Sequence, residues 1–357
     1  MKFTSIQVLR AIAAVFVVLA HVRAYLLVIG NNNNSIFTYL PNMLGYGAEM
    51  FFTISGFLMA YLIDSGYNNF LIRRLSRIYP TFFFVAILAI FFKVITFGTV
   101  SNPNLLKAMS LLPFGISTYP LNVEWTLIYE VFFYLICSIF TFGNFKKAFP
   151  YFLVVWLGIV LAATLKYHVP MNPLPSIKII FYQLYNMFFI IGALTYYIYK
   201  RISPISQKVG YTLFLPGIIY VVFWHYWVKY PEFAREHFYL FAVCCSLMIL
   251  GALSVNNSSQ SRVYNFAVKM GDYSYALYLV HVPVLVIFYS LYQTHIGPIG
   301  SKAGIIGLLL CLFTGWWVGK VDVFFHELAK TYLANKTAPG LTKTEGKLKE
   351  ETLLVKS

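Results

Sequence analysis

Apolar residues run along this chain in long blocks that do not alternate with polar ones. Stretches near 5–28, 44–63, 79–97, 123–142, 150–167, 179–199, 211–228, 236–254, 272–292 and 303–325 stand out. Each approaches the roughly 20 residues that a helix needs to cross a hydrocarbon core. Residues 12–19 and 81–92 are too uniformly apolar for the strands of a barrel, which alternate. The pattern predicts an all-α fold: a polytopic membrane helix bundle of about ten transmembrane helices, forming one domain over residues 1–328. From 329 the chain becomes rich in Lys, Glu and Thr, so 329–357 reads as a polar tail without fixed structure.

Composition strengthens this picture. The 357 residues are 59% hydrophobic and 11% charged, less than half the usual charged share of about 25%. A soluble globule cannot clothe its surface from such a stock. Soluble enzymes, secreted mini-proteins and disordered chains are excluded. A net charge of +15 would raise nucleic acid as a partner in a soluble protein. Here the basic residues have another account. Arg73, Arg74, Arg77, Lys146, Lys147, Lys200, Arg201, Lys208, Arg262 and Lys269 fall in alternate loops, while the first loop on the opposite side has none. The positive-inside rule then predicts both termini in the cytoplasm, with membrane lipids and not nucleic acid as the surroundings. Cys137, Cys244, Cys245 and Cys311 lie in apolar stretches without metal-ligand spacing. They read as buried thiols, with no metal site expected. The first apolar stretch has no cleavage signal after it and is expected as a retained helix.

Charged and imidazole side chains inside a bilayer are costly, so each is a functional candidate. Lys93, Lys320, Asp64, Asp272 and His225 sit near the ends of their stretches, where snorkelling, capping or an aromatic belt accounts for them. Arg10 and His21 differ. Eleven residues apart on the first stretch, they share a helix face and are separated by a rise of roughly 16 Å. Glu49, Glu124 and Glu130 enter from the opposite side to the basic loops. Ser274, Tyr278 and His281 fall on one face of the ninth stretch. A histidine with a carboxylate in a dry interior is equipment for general-base catalysis; unrelated interhelical hydrogen bonds would use the same residues. Arg73, Arg74 and Arg77 precede the third stretch, and the planar guanidinium matches phosphate oxygens where lysine would not. A plain topology anchor is the other account of that run. Together the residues outline a donor with phosphates on the arginines and its reactive end reaching along the seam towards His21. Coenzyme A, with phosphates at one end and a thioester at the other, suits that division, as would a lipid-phosphate donor.

Five motifs, in order, resemble the acyltransferase-3 family of integral membrane acyltransferases. They are Gln7-Val8-Leu9-Arg10-Ala11 running to His21; Glu49-Met50-Phe51-Phe52 running to Ser55-Gly56-Phe57; the arginine run ending in Arg77-Ile78-Tyr79-Pro80; Glu124-Trp125-Thr126 running to Tyr129-Glu130 and Phe132-Phe133-Tyr134; and Gly271 running to His281. The wording is most similar to an exopolysaccharide O-acetyltransferase branch, with Glu49 where Asp is common and Thr126 where Ser is common. The resemblance implies that Arg10 and His21 are the essential pair, that Arg74 and Arg77 contact acyl-CoA phosphates, and that Glu130 belongs to the site. Glu49 is implied as a further catalytic residue, with Trp125, Tyr134, Glu124, Tyr278 and His281 around the acceptor. It also implies acetyl-CoA as donor substrate, a polysaccharide or lipid-linked oligosaccharide as acceptor, and a place in the bacterial cytoplasmic membrane. In this expectation Glu130 or Glu49 orients His21, which acts as base or as transient acyl carrier. A transporter of a lipid-linked sugar, and an acyltransferase with a non-glycan acceptor, stay open, as does association into a homo-oligomer.

Overall fold

The computed structural model describes residues 3–30, 35–66, 69–98, 104–167, 174–227, 234–255 and 261–337. Among them the regular structure is helical, with one isolated bridge between Phe114 and Ser176. The helices are α1 (Thr4–Val28), α2 (Gly47–Asp64), α3 (Phe70–Phe97), α4 (Leu105–Met109), α5 (Glu124–Ile139), α6 (Phe149–Leu165), α7 (Asn186–Ile202), α8 (Gln207–Trp227), α9 (Ala234–Ser254), α10 (Arg262–Asp272), α11 (Ser274–His295) and α12 (Ser301–Thr337).

Each of the ten apolar stretches overlaps an α-helix, that near 179–199 only from Asn186 onward. Among the described residues five helical segments are long and apolar enough to cross a membrane: Thr4–Val28, Leu44–Asp64, Phe70–Phe97, Ser274–His295 and Ser301–Leu333. Phe149–Leu165 and Phe238–Ser254 are shorter apolar helices. α5 and α7 are short for a visible reason: irregular chain leads into each. Leu111, Leu121 and Val123 in the first of these segments are buried, and non-helical backbone in an apolar setting is tolerated where protein covers it. Asn122 takes φ 63, a left-handed conformation that asparagine tolerates, and turns the chain into α5.

Three boundaries differ from expectation. The arginine run lies inside the first turns of α3, not before it. Asp272 closes the amphipathic α10 rather than opening a long helix, with Tyr273 between it and α11. α12 continues past 328 to Thr337. Tyr332 and Leu333 keep its apolar pattern going, and Lys330 pairs with Glu327 at 3.3 Å. The tail residues 338–357 lie outside the described residues, as do the side chains of His225 and its flanking tryptophans.

Glycine sets how closely the helices approach. A Cβ built on Gly56 would stand 2.0 Å from the Phe189 carbonyl oxygen, and one on Gly192 the same distance from that of Thr53. α2 and α7 therefore touch backbone to backbone, as helices do where small residues line their seam. A Cβ on Gly271 would likewise meet the Gln7 carbonyl at 2.0 Å, locking the end of α10 to α1. Gly192→Ala is expected to lower stability by about 1–3 kcal/mol, the usual cost of overpacking. Gly158→Ala, where a Cβ meets nothing within 4 Å, should leave it unchanged. Thermal unfolding of both variants in detergent checks this; equal melting temperatures would refute the close-contact account.

Candidate active site

A cavity of about 110 Å³ opens between α1, α2, α3, α5 and α11. Arg10, Arg74 and Arg77 line it. Arg74 and Arg77 are three residues apart on α3 and so project from one face. Arg73 is not part of the lining. Arg10 donates to Gln7 Oε1 at 3.3 Å and lies within electrostatic reach of Arg77, Glu130 and Asp322. Three cations around one small space are a receptor for a polyanion.

Beyond the arginines the lining turns to Glu130, Tyr134 and Ser55. Tyr134 donates a hydrogen bond to Glu130 Oε1 from the next turn of α5, and Ser55 Oγ donates to the same oxygen at 3.3 Å from α2. The carboxylate is thereby held by two hydroxyls with a guanidinium near. Thr126 and Tyr278 close the cavity further along, joined by a Thr126 Oγ1 to Tyr278 hydroxyl hydrogen bond of 2.9 Å.

Behind Tyr278 stand two histidines. The Tyr278 and His281 rings are 5.5 Å apart, and His281 meets His21 edge to face at 4.7 Å. His21 Nδ1 lies 2.9 Å from the Val17 carbonyl, and His281 Nδ1 lies 3.3 Å from that of Leu277. A carbonyl only accepts, so each Nδ1 carries the proton and each Nε2 is left as a lone pair in the neutral ring. His281 is fully buried, and its Nε2 has no hydrogen-bond partner. His21 is half-buried, beside the Tyr25 ring at 6.4 Å. Two imidazole rings thus meet, one fully buried and the other half-buried.

The expected residues divide. Arg10, Arg74, Arg77, Glu130, Tyr134 and Tyr278 share the cavity; His281 and His21 follow behind it. The orienting partner of His21 is the Val17 carbonyl of its own helix, not a carboxylate. Glu130 is taken by Tyr134 and Ser55. Glu49 is buried in the first turn of α2, and its Oε2 has no hydrogen-bond partner. It does not line the cavity.

Trp125 belongs to an aromatic cluster, 6.1 Å from Phe52 and 5.1 Å from Tyr185. Glu124 is fully buried. Its two oxygens accept from the backbone N–H of Leu121 at 2.7 Å and of Val123 at 3.0 Å. It ties down the irregular chain that leads into α5 and has little left for a substrate. Glu124→Ala is expected to cost about 1–3 kcal/mol through the orphaned N–H groups, seen as a lower melting temperature. The Michaelis constant for the acceptor should not move; a large change in it would return Glu124 to the site.

Asp322 was missed. It lies in the tenth apolar stretch, on α12, between Val321 and Val323, and the rule that singled out the other intramembrane charges applies to it equally. It is 1% exposed and forms an ion pair with Arg77. Ser55, Thr126 and Tyr275 carried no signal as site residues, because hydroxyls are common on apolar helices. Lys93 and Asp64 keep local partners: Lys93 donates to the Pro120 carbonyl, and Asp64 accepts from Tyr196 and Lys200. The four cysteines are buried free thiols. Among the described residues no cluster of His, Cys, Asp or Glu could hold a metal ion.

A family model described as an acyltransferase domain matches residues 3–320. No curated protein and no solved structure matches the chain.

Proposed function

The chain belongs to the acyltransferase-3 family, and from that premise we propose that this membrane acyltransferase moves an acetyl group from acetyl-CoA to a hydroxyl of a polysaccharide or its lipid-linked precursor. The donor enters from the cytoplasm, and the protein sits in the bacterial cytoplasmic membrane. One observation carries the reading: three arginines converge on a cavity whose far wall backs onto a histidine pair, His281 with an unpartnered Nε2 and His21 with its Nδ1 on the Val17 carbonyl.

The CoA phosphates are neutralised by Arg10, Arg74 and Arg77, for which the guanidinium fork is suited. The pantetheine arm passes Glu130 and Ser55, and displacement of Tyr278 from Thr126 brings the thioester to His21. His21 Nε2 then takes the proton of the acceptor hydroxyl as its oxygen bonds to the thioester carbon. The carbon–sulfur bond breaks, and the imidazolium returns the proton to the CoA sulfur. The Val17 carbonyl holds the imidazole in the tautomer that this role needs.

The test is release of CoA from acetyl-CoA by the purified chain in nanodiscs, with and without a lipid-linked glycan. Acceleration by the glycan supports the reading, and failure of acetyl-CoA to bind overturns it. A single turnover with labelled acetyl-CoA and no acceptor should leave the protein unlabelled, since transfer is direct; a labelled histidine would replace this route by an acyl-histidine intermediate.

A further inference from the structure

Asp322 holds one of the cavity's arginines from outside the cavity. Its Oδ1 accepts from Thr81 Oγ1 at 2.6 Å. Its Oδ2 lies 3.2 Å from Arg77 Nη1, a charge contact without hydrogen-bond alignment. Both partners stand on α3, four residues apart, so α12 grips a single face of that helix. A carboxylate buried this deeply needs a compensating cation. Arg77 supplies it while keeping 21% of its side chain exposed along the cavity wall.

The neighbours explain why such a hold is required. Arg10, Arg74 and Arg77 share one small space and repel one another. An arginine side chain has the rotamer freedom with which to turn away. Asp322 opposes that escape, and Thr81 fixes Asp322.

We propose that Asp322 is a positioning residue of the anion-binding cavity: Thr81 anchors its carboxylate, and the carboxylate keeps the Arg77 guanidinium at the cavity wall for a phosphate-bearing donor. This rests on the reading of the cavity as the site of the CoA phosphates. Phosphate and Asp322 then share Arg77. The ion pair is made through Nη1, and the planar fork has further N–H groups to offer the donor. A carboxylate acting only as a counter-charge predicts the opposite result. Its removal would make the cavity more positive and tighten anion binding.

The experiment uses the full chain in nanodiscs. Titration calorimetry gives affinities for CoA and for adenosine 3′,5′-bisphosphate, and steady-state assays give KM and kcat for acetyl-CoA. Asp322→Asn is expected to weaken both ligands about tenfold, the loss of roughly one charge-assisted hydrogen bond. KM should rise in step with kcat little changed. Thr81→Val should shift KM the same way by less, because it frees the carboxylate without altering charge. Thr81→Ser, which keeps the hydroxyl, should behave as wild type. If Asp322→Asn fails to fold, the Thr81 pair decides alone. Tighter or unchanged binding in Asp322→Asn and Thr81→Val, alongside weaker binding in Arg77→Ala, overturns the positioning role and leaves the cavity's assignment intact. Wild-type affinity in both Arg74→Ala and Arg77→Ala overturns that assignment, and this inference with it.

Discussion

His21→Ala is expected to reduce acetyl-CoA turnover by about 10²–10⁴-fold, the range that a positioned general base contributes. The expectation follows from two features of the ring. Its Nδ1 is committed to the Val17 carbonyl, which leaves the other nitrogen as the base, and the residue is only half-buried. The ring does not line the arginine cavity, so affinity for CoA should survive the substitution. A loss confined to kcat, with unchanged CoA binding and an unchanged melting temperature, is the signature of a group that acts in the transition state. Turnover within error of wild type would sink the assignment of the base. His281, 4.7 Å away with a bare Nε2 of its own, would then be the nitrogen to replace next.

The double substitution Arg74→Ala and Arg77→Ala is expected to act on the other end of the donor. Hydrogen bonds to charged groups contribute about 1.5–3 kcal/mol each. Loss of one such contact per residue raises the KM for acetyl-CoA by about 10–100-fold, at 1.4 kcal/mol per tenfold, and loss of both by more. Arg74→Lys and Arg77→Lys keep the charge and lose the fork, so intermediate values are expected if geometry contributes beyond charge. Initial rates against acetyl-CoA concentration, with CoA titration as the binding control, make the measurement. An unchanged KM would mean that these arginines anchor α3 at a membrane surface and bind no donor.

The pairing of Glu130 with Tyr134 was within reach of the sequence, since four residues on a helix bring the two side chains together. Ser55, the third member, comes from α2 and had no such warrant. Glu124 shows the limit from the other direction. As an acid near the start of an apolar helix it was a reasonable substrate contact, yet its carboxylate turns back on the Leu121 and Val123 N–H groups of the irregular chain before α5. Asp322 marks a third case, where the sequence signal was present in plain apolar surroundings and its meaning depended on which helix it faced.

What the amino-acid order determined by itself is therefore local in origin. Long apolar runs must be helical, because backbone polar groups in an apolar medium are satisfied within the helix. The eleven-residue spacing set Arg10 and His21 on one face, and the three-residue spacing did the same for Arg74 and Arg77. The tertiary structure alone decided which faces meet. His21 meets His281, and Arg77 meets Asp322, across most of the chain's length. These appositions depend on how each helix is rotated and how near it comes. Close approaches contribute to that arrangement, of Gly271 to Gln7 on α1 and of Gly315 on α12 to Leu277 on α11, and helical periodicity carries no information about the partner across such a contact.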